Sequence, residues 1–162
     1  MIVCALIAGC SMQVAGPTGG SETTNGIAGY ASYPDGAPGT GVSVFLYEDR
    51  LAGSRIERLK PLSTTTADEN GGFAFDSVGA GTYAVEVRDQ DGNAVRAGAL
   101  HKAADTKALL LDTLRLRPVV SLSGTVTMYN GDDPRTVDII LAGTYRFGLP
   151  DTNGSFRIDS LA

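Results

Sequence analysis

Few side chains in this sequence could do chemistry. His101 is the only histidine in the 162 residues. A Ser-His-Asp arrangement would have to use it, because a serine hydroxyl needs an oriented imidazole to take its proton. Its neighbours are Leu100 and Lys102, and no Gly-x-Ser-x-Gly turn is present to present a nucleophile. A histidine metal centre lacks a second imidazole, and no thiol follows residue 10. His101 is therefore read as a surface loop residue. Oxygen ligands alternate in Asp89-x-Asp91-Gly92-Asn93, as they do in calcium loops, but no glutamate stands at the distance that would close the set. Asp68-Glu69-Asn70-Gly71 has the same form, and both are read as turns between strands. The body of the chain is thus expected to hold no catalytic residue, no metal and no cofactor, and to be non-enzymatic.

The two cysteines, Cys4 and Cys10, fall within the first ten residues, so no disulfide framework is available further on. Residues 2–9 form an apolar run, shorter than the roughly 20 residues needed to cross a bilayer. The run ends in Leu6-Ile7-Ala8-Gly9-Cys10. This resembles the bacterial lipobox, an aliphatic residue and two small residues before a cysteine. The resemblance implies that residues 1–10 are a lipoprotein signal peptide, that the Cys10 thiol takes a diacylglyceryl group, and that the chain is cut before Cys10. Small Ala8 and Gly9 let an extended segment enter a peptidase cleft, and two or three acyl chains hold a membrane far better than one. Ser11, where an aspartate would favour inner-membrane retention, points to the outer membrane. Residues 11–25 are mostly small and polar and lack periodicity, as expected for a flexible linker.

Composition points to numerous turns and few long helices. There are 21 glycines and 7 prolines, and the formal net charge is −5. Scattered basic residues and a negative balance argue against nucleic acid as a partner.

The remainder repeats itself. Residues 27–46 and 122–141 align at an offset of 95, matching Ile27 and Gly29 with Leu122 and Gly124, and Val42, Val44 and Leu46 with Val137, Ile139 and Leu141. A second block, Asp68 to Val78, aligns with Asp151 to Leu161 at an offset of 83. The first copy carries its surplus around Gly53 to Leu62, read as an extended loop. Period-two alternation recurs in Val42, Val44, Leu46 and in Tyr83, Val85, Val87, the mark of half-buried strands. Strands are expected near 27–32, 42–48, 63–67, 72–77, 81–89, 94–100 and 107–116. The expected core is Ile27, Val42, Val44, Leu46, Phe73, Phe75, Val78, Tyr83, Val85, Val87, Leu109 and Leu111.

Together the opening Ile27-x-Gly29, the Asp35-Gly36 turn, Val42-x-Val44-x-Leu46, Thr65-x-x-Asp68-x-x-Gly71-x-Phe73-x-Phe75 and Gly81-x-Tyr83-x-Val85 resemble the carboxypeptidase regulatory-like domains. That resemblance implies a transthyretin-like fold: an all-β, seven-stranded antiparallel Greek-key β-sandwich over 26–117, followed by a partial second copy over 119–162. In it Gly71 turns a hairpin, Gly81 opens a strand at a close sheet-to-sheet approach, and Tyr83 fills the core while its hydroxyl reaches a backbone group. Collagen-adhesin B-type repeats share these signatures and some carry a Lys–Asn bond, but the first lysine of copy one is Lys60, in the long loop, and copy two has none.

Tyr30, Tyr33, Phe45, Tyr47, Tyr129, Tyr145 and Phe147 could stack on sugars if exposed, but core or inter-repeat packing is the expected use. The combined expectation is a cell-envelope lipoprotein held to the membrane through Cys10, whose modules act as a structural or interaction scaffold. A surface protein or a polysaccharide is the candidate partner. The other expectations are an adhesin, or the N-terminal fragment of a larger surface enzyme, with a chain that stops inside its second module.

Overall fold

A computed structural model describes residues 25–48, 60–105, 107–141, 144 and 146–162. The described residues form strands and turns with no α-helix among them, only a 3-10 turn over Pro134–Thr136. The lipobox, Cys10 and most of the surplus loop lie outside the described residues.

The first module builds two sheets. One has the order β3 (Ser63–Thr66), β2 (Ser43–Glu48), β5 (Gly81–Arg88), β6 (Asn93–Lys102), β9 (Arg117–Pro118), all antiparallel. The other runs β4 (Gly72–Asp76), β1 (Gly26–Ser32), β7 (Leu109–Leu110), with β8 (Leu114–Arg115) also on β1. Side chains from both sheets meet in one core. Alternation explains who enters it: Val44, Leu46, Val85 and Val87 are at most 1% exposed, while Phe45, between Val44 and Leu46, faces the other side. Phe73 and Phe75, two apart on β4, meet edge to face with centroids 6.3 Å apart.

Two expectations need correction. The strand foreseen over 107–116 is two short pieces, and it is not antiparallel. Leu109 and Leu110 pair parallel with Ile27 and Ala28, and Leu114 and Arg115 parallel with Ala31 and Ser32. A hairpin would force opposite directions, but the chain reaches β1 by crossing from the end of β6 to the other sheet, which permits a parallel partner. Leu109 and Leu111 are half-buried, and deeper positions go to Leu114 and Leu116, at 9% and 0% exposure, just past the alternation that the sequence advertised. The second correction concerns Gly81. A Cβ there would meet the Tyr83 ring and hydroxyl at 3.1–3.2 Å, so the glycine makes room for its neighbour's ring, not for the opposite sheet.

The second copy reproduces pairings of the first. In copy one Ile27 faces Phe75 and Gly29 faces Phe73; in copy two Leu122 of β10 (Val120–Thr125) faces Ile158 of β13 (Ser155–Leu161), and Gly124 faces Phe156. Likewise Val44 faces Thr65, and Ile139 of β11 (Ile139–Ile140) faces Gly148 of β12 (Phe147–Gly148). The apolar-x-Gly motif gains a physical reason: a Cβ on Gly29 would lie 2.9 Å from the Phe73 ring, and one on Gly124 would lie 2.8 Å from the Phe156 ring. Even the strand exits agree, with Ser77 and Ser160 at φ of 57° and 59°. Among the described residues copy two has counterparts of β1 to β4 and none of β5, β6 or β7.

Candidate functional site

The acids singled out in the sequence are engaged by backbone. Asp68 Oδ1 accepts the amides of Asn70 and Gly72, both at 2.8 Å, and Asp151 Oδ1 accepts those of Asn153 and Ser155 at 2.8 and 2.9 Å. Asp89 repeats the device, accepting Asp91 and Asn93 amides at 3.0 and 2.7 Å, with Asn93 Nδ2 on its other oxygen at 2.6 Å. Gly71, Gly92 and Gly154 supply the positive φ, between 77° and 84°, that closes each turn. At Gly71 and Gly154 a side chain would also strike the carbonyl oxygens of Ala31 and Val126. Partial burial works to raise the pKa of Asp89. Hydrogen bonds from the Asn93 side chain and backbone, the Asp91 backbone and the Tyr33 hydroxyl outweigh it and hold the carboxyl below the ordinary aspartate range. Tyr33 moves the other way, raised first by burial and then by the Asp89 charge.

His101 is exposed on β6, with Nδ1 3.0 Å from Thr82 Oγ1 across the strand pair. Among the described residues no group of three or more His, Cys, Asp or Glu side chains is placed to hold a metal ion.

The densest polar cluster is one that the sequence reading missed. Glu86, on the outer side of β5, is 5% exposed. Its carboxylate pairs with Arg88 Nε on the same strand, Arg96 at 3.5 Å on β6, and Arg146 at 3.3 Å from the second copy. Arg88 also reaches the Ser160 carbonyl at 3.3 Å, a second tie to copy two. Arg96 lies 5.6 Å from the Tyr47 ring centroid, a cation–π distance. Burial, followed by the Glu86 charge, raises the Tyr47 pKa, while Arg88 and Arg96 oppose it. Tyr47 and Phe45 are half-buried beside this cluster, while Tyr30 and Tyr33 are half-buried elsewhere, so these aromatics form no open platform. Phe147 is half-buried too, Tyr129 is fully exposed at 103%, and Tyr145 lies outside the described residues. The signal for the cluster was present as Glu86-x-Arg88, two apart and hence on one face of a strand. Its third partner, 60 residues on, carried no local signal.

Lys102 was also missed. It is 4% exposed, and its ammonium donates to Ala103 O, Asp105 O and Asp105 Oδ1 at 3.0–3.1 Å. Hydrogen bonding from Lys102 is the leading cause that lowers the Asp105 pKa. This closes the turn by which the chain leaves β6 for the other sheet. Tyr83 behaves as its resemblance implied, its hydroxyl donating to Gly79 O at 3.1 Å.

No family model matches the chain, and no curated protein does. Several solved structures share parts of its shape. A 9R-lipoxygenase from Cyanothece PCC8801 is 20% identical over 56% of this chain at a TM-score of 0.36, and the chain spans 16% of it. A streptococcal ancillary pilin is 12% identical over 87% of the chain at a TM-score of 0.40, and the chain spans 51% of it. A protein from Pseudomonas aeruginosa, described as a candidate for carbohydrate binding, is 21% identical over 54% of the chain and 87% of its own length, at 0.31. At these scores none transfers a ligand or an activity to this chain.

Proposed function

We propose that the chain is a non-enzymatic cell-envelope lipoprotein, anchored through Cys10 in the outer membrane, whose tandem β modules act as a structural or interaction scaffold. We take the first module as a transthyretin-like Greek-key sandwich of the carboxypeptidase regulatory-like kind. The observation that carries the scaffold reading is the Glu86 cluster. A buried carboxylate that gathers arginines from two strands of one module and from the next module holds modules together. The acids that might have served catalysis or calcium are occupied in closing turns. A polysaccharide- or protein-binding adhesin is the second reading, and Tyr129, fully exposed, is the side chain it would use to stack on a ligand.

Two measurements test this. Mass spectrometry of the mature chain from a Gram-negative host is expected to find an acylated Cys10 at the N-terminus; an intact Met1 on the exported protein would overturn the anchor. Screening residues 11–162 against glycans and envelope proteins is expected to find protein partners. Saturable glycan binding abolished by Tyr129→Ala would replace the scaffold by the adhesin.

A further inference from the structure

Asparagine is followed by glycine four times, at Asn25, Asn70, Asn130 and Asn153. Such a pair carries its own reactants. The glycine amide nitrogen can attack the side-chain carbonyl carbon of the asparagine, and glycine, lacking a Cβ, hinders that approach least. Attack requires the amide to leave its hydrogen bond and the backbone to swing toward the side chain. The four pairs differ in how firmly that backbone is held.

Three of the glycines are buried. Gly26 stands in β1 opposite Asp76 of β4, and Val78 N–H donates to Asn25 O at 3.2 Å. Gly71 N–H donates to Asp68 O at 3.0 Å, and Gly71 O accepts from Ala31 N at 2.8 Å. Gly154 repeats both bonds, donating to Asp151 O at 2.9 Å and accepting from Val126 N at 2.8 Å. The Asp68 and Asp151 carboxylates also hold the amides on either side of these glycines. Gly131 differs. It is exposed, its N–H reaches Met128 O at 3.4 Å, beyond the usual range, and a Cβ on it would meet nothing within 4 Å. Asp35 and Gly36, at the same place in copy one, are exposed too, so the exposure belongs to the turn. Asn130 is itself exposed, and its Nδ2 donates to Asp132 Oδ2 at 2.9 Å.

We propose that Asn130-Gly131 is a self-modification site, at which the folded chain slowly converts asparagine to aspartate and isoaspartate while the other three Asn-Gly pairs are preserved. The Gly131 nitrogen gives its proton to hydroxide and bonds to the Asn130 side-chain carbonyl carbon. The bond from that carbon to Nδ2 breaks, the departing nitrogen takes a proton from water, and ammonia leaves behind a succinimide ring. Water then opens the ring at either carbonyl. One opening gives aspartate; the other routes the main chain through the side chain as isoaspartate. Nothing is oxidised or reduced. In both products a carboxylate replaces the amide that donates to Asp132, so a hydrogen bond becomes a repulsion between like charges.

The test is incubation of the full chain at neutral and mildly alkaline pH, followed by digestion at acid pH and peptide mass mapping. The product is heavier by the difference between water and ammonia, and its two isomers elute separately. Asn130 is expected to convert at least about tenfold faster than Asn70, Asn153 or Asn25, the scale of the backbone hydrogen bonds that those sites must first break. Conversion should quicken as pH rises, because the attacking nitrogen must lose its proton. In urea, which frees the backbone, all four should convert at like rates. Asn130→Gln keeps the amide but demands a larger ring, so the more acidic species should vanish from ion exchange of the aged protein. Equal rates at Asn70, Asn130 and Asn153 in the folded chain overturn the proposal. So does an order that persists in urea, because the cause would then be the neighbouring residues and not the hydrogen bonds. An acidic species that survives Asn130→Gln overturns it as well.

Discussion

The two copies carry the same residue types in the same register and bury them differently. Ile27 and Leu122 sit opposite Phe75 and Ile158, yet Ile27 is 0% exposed and Leu122 is 41%. Turns behave otherwise: Asp68 and Asp151 close the turns that carry the chain from one sheet to the other with hydrogen bonds that agree within 0.1 Å, and Ser77 and Ser160 share the left-handed conformation. Turn geometry is thus local, complete wherever Asp-x-x-Gly and an aromatic facing a glycine occur. Burial is collective. In copy one it needs β5, β6 and the β7–β8 return, and those have no counterpart among the described residues of copy two.

The sharpest way to break this comparison is to truncate the matched pair. Ile27→Ala should cost about 2–5 kcal/mol, the loss for a large aliphatic side chain in a filled core. Leu122→Ala should cost less than about 1 kcal/mol, because much of its surface already meets water. Urea unfolding followed by circular dichroism reads both, and equal losses would show that copy two is as well packed as copy one. Hydrogen exchange should agree, with amides of 26–117 protected beyond those of 119–162.

Next in size is the tie between the copies. Glu86→Gln leaves Arg88, Arg96 and Arg146 around a neutral amide and should cost about 1–3 kcal/mol, below the value for a fully buried pair because Arg88 and Arg146 are partly solvated. The same change should loosen copy two, read as altered chemical shifts around Arg146 and Ser160. Shifts confined to the first module would show that the arginines serve copy one alone. A smaller effect is expected from Tyr83→Phe, which removes the hydrogen bond to Gly79 O and should cost about 1 kcal/mol in the unfolding of copy one. Copy two has no counterpart of Tyr83 among the described residues, so its exchange rates should not move.

Much of the fold was legible because its signals are local. Alternation at Val42, Val44 and Leu46 and the Asp-x-x-Gly turns placed most strands of copy one to within a residue or two, and at the repeat offsets β10 pairs with β13 and β11 with β12 as β1 pairs with β4 and β2 with β3. What escaped depends on non-local arrangement. The parallel return of β7 and β8 follows a crossing between sheets that no dipeptide marks, and Leu114 and Leu116 are core residues because that return lays them beside β1. Alternation with Val85 and Val87 turns Glu86 away from the core and gives no sign that it is buried. Its burial depends on an arginine from the other copy, which no spacing rule connects to it. Nothing in the residues around Lys102 marks it as buried, because the turn that its ammonium closes is what covers it.

The smallest expected effect separates the turn at Asp89 from the two it resembles. Asp68 and Asp151 each accept two backbone amides, whereas Asp89 also receives the Asn93 side chain and the Tyr33 hydroxyl. These hydrogen bonds favour the ionised form, so the folded pKa lies below the ordinary aspartate value of 3.8. The sign follows from linkage: a depressed folded pKa gives stability that is fully present above the unfolded value and is lost as pH falls through the folded one. The turn therefore supports the first module at neutral pH and weakens below about pH 4. Asp89→Asn cannot titrate, so the unfolding midpoint of that variant should decline less between pH 5 and pH 3 than that of the unaltered chain. Tyr33→Phe removes one donor and should fall between the two. If all three decline in parallel, the Asp89 hydrogen bonds do not distinguish the folded state from the unfolded one, and this turn differs from the others in sequence alone.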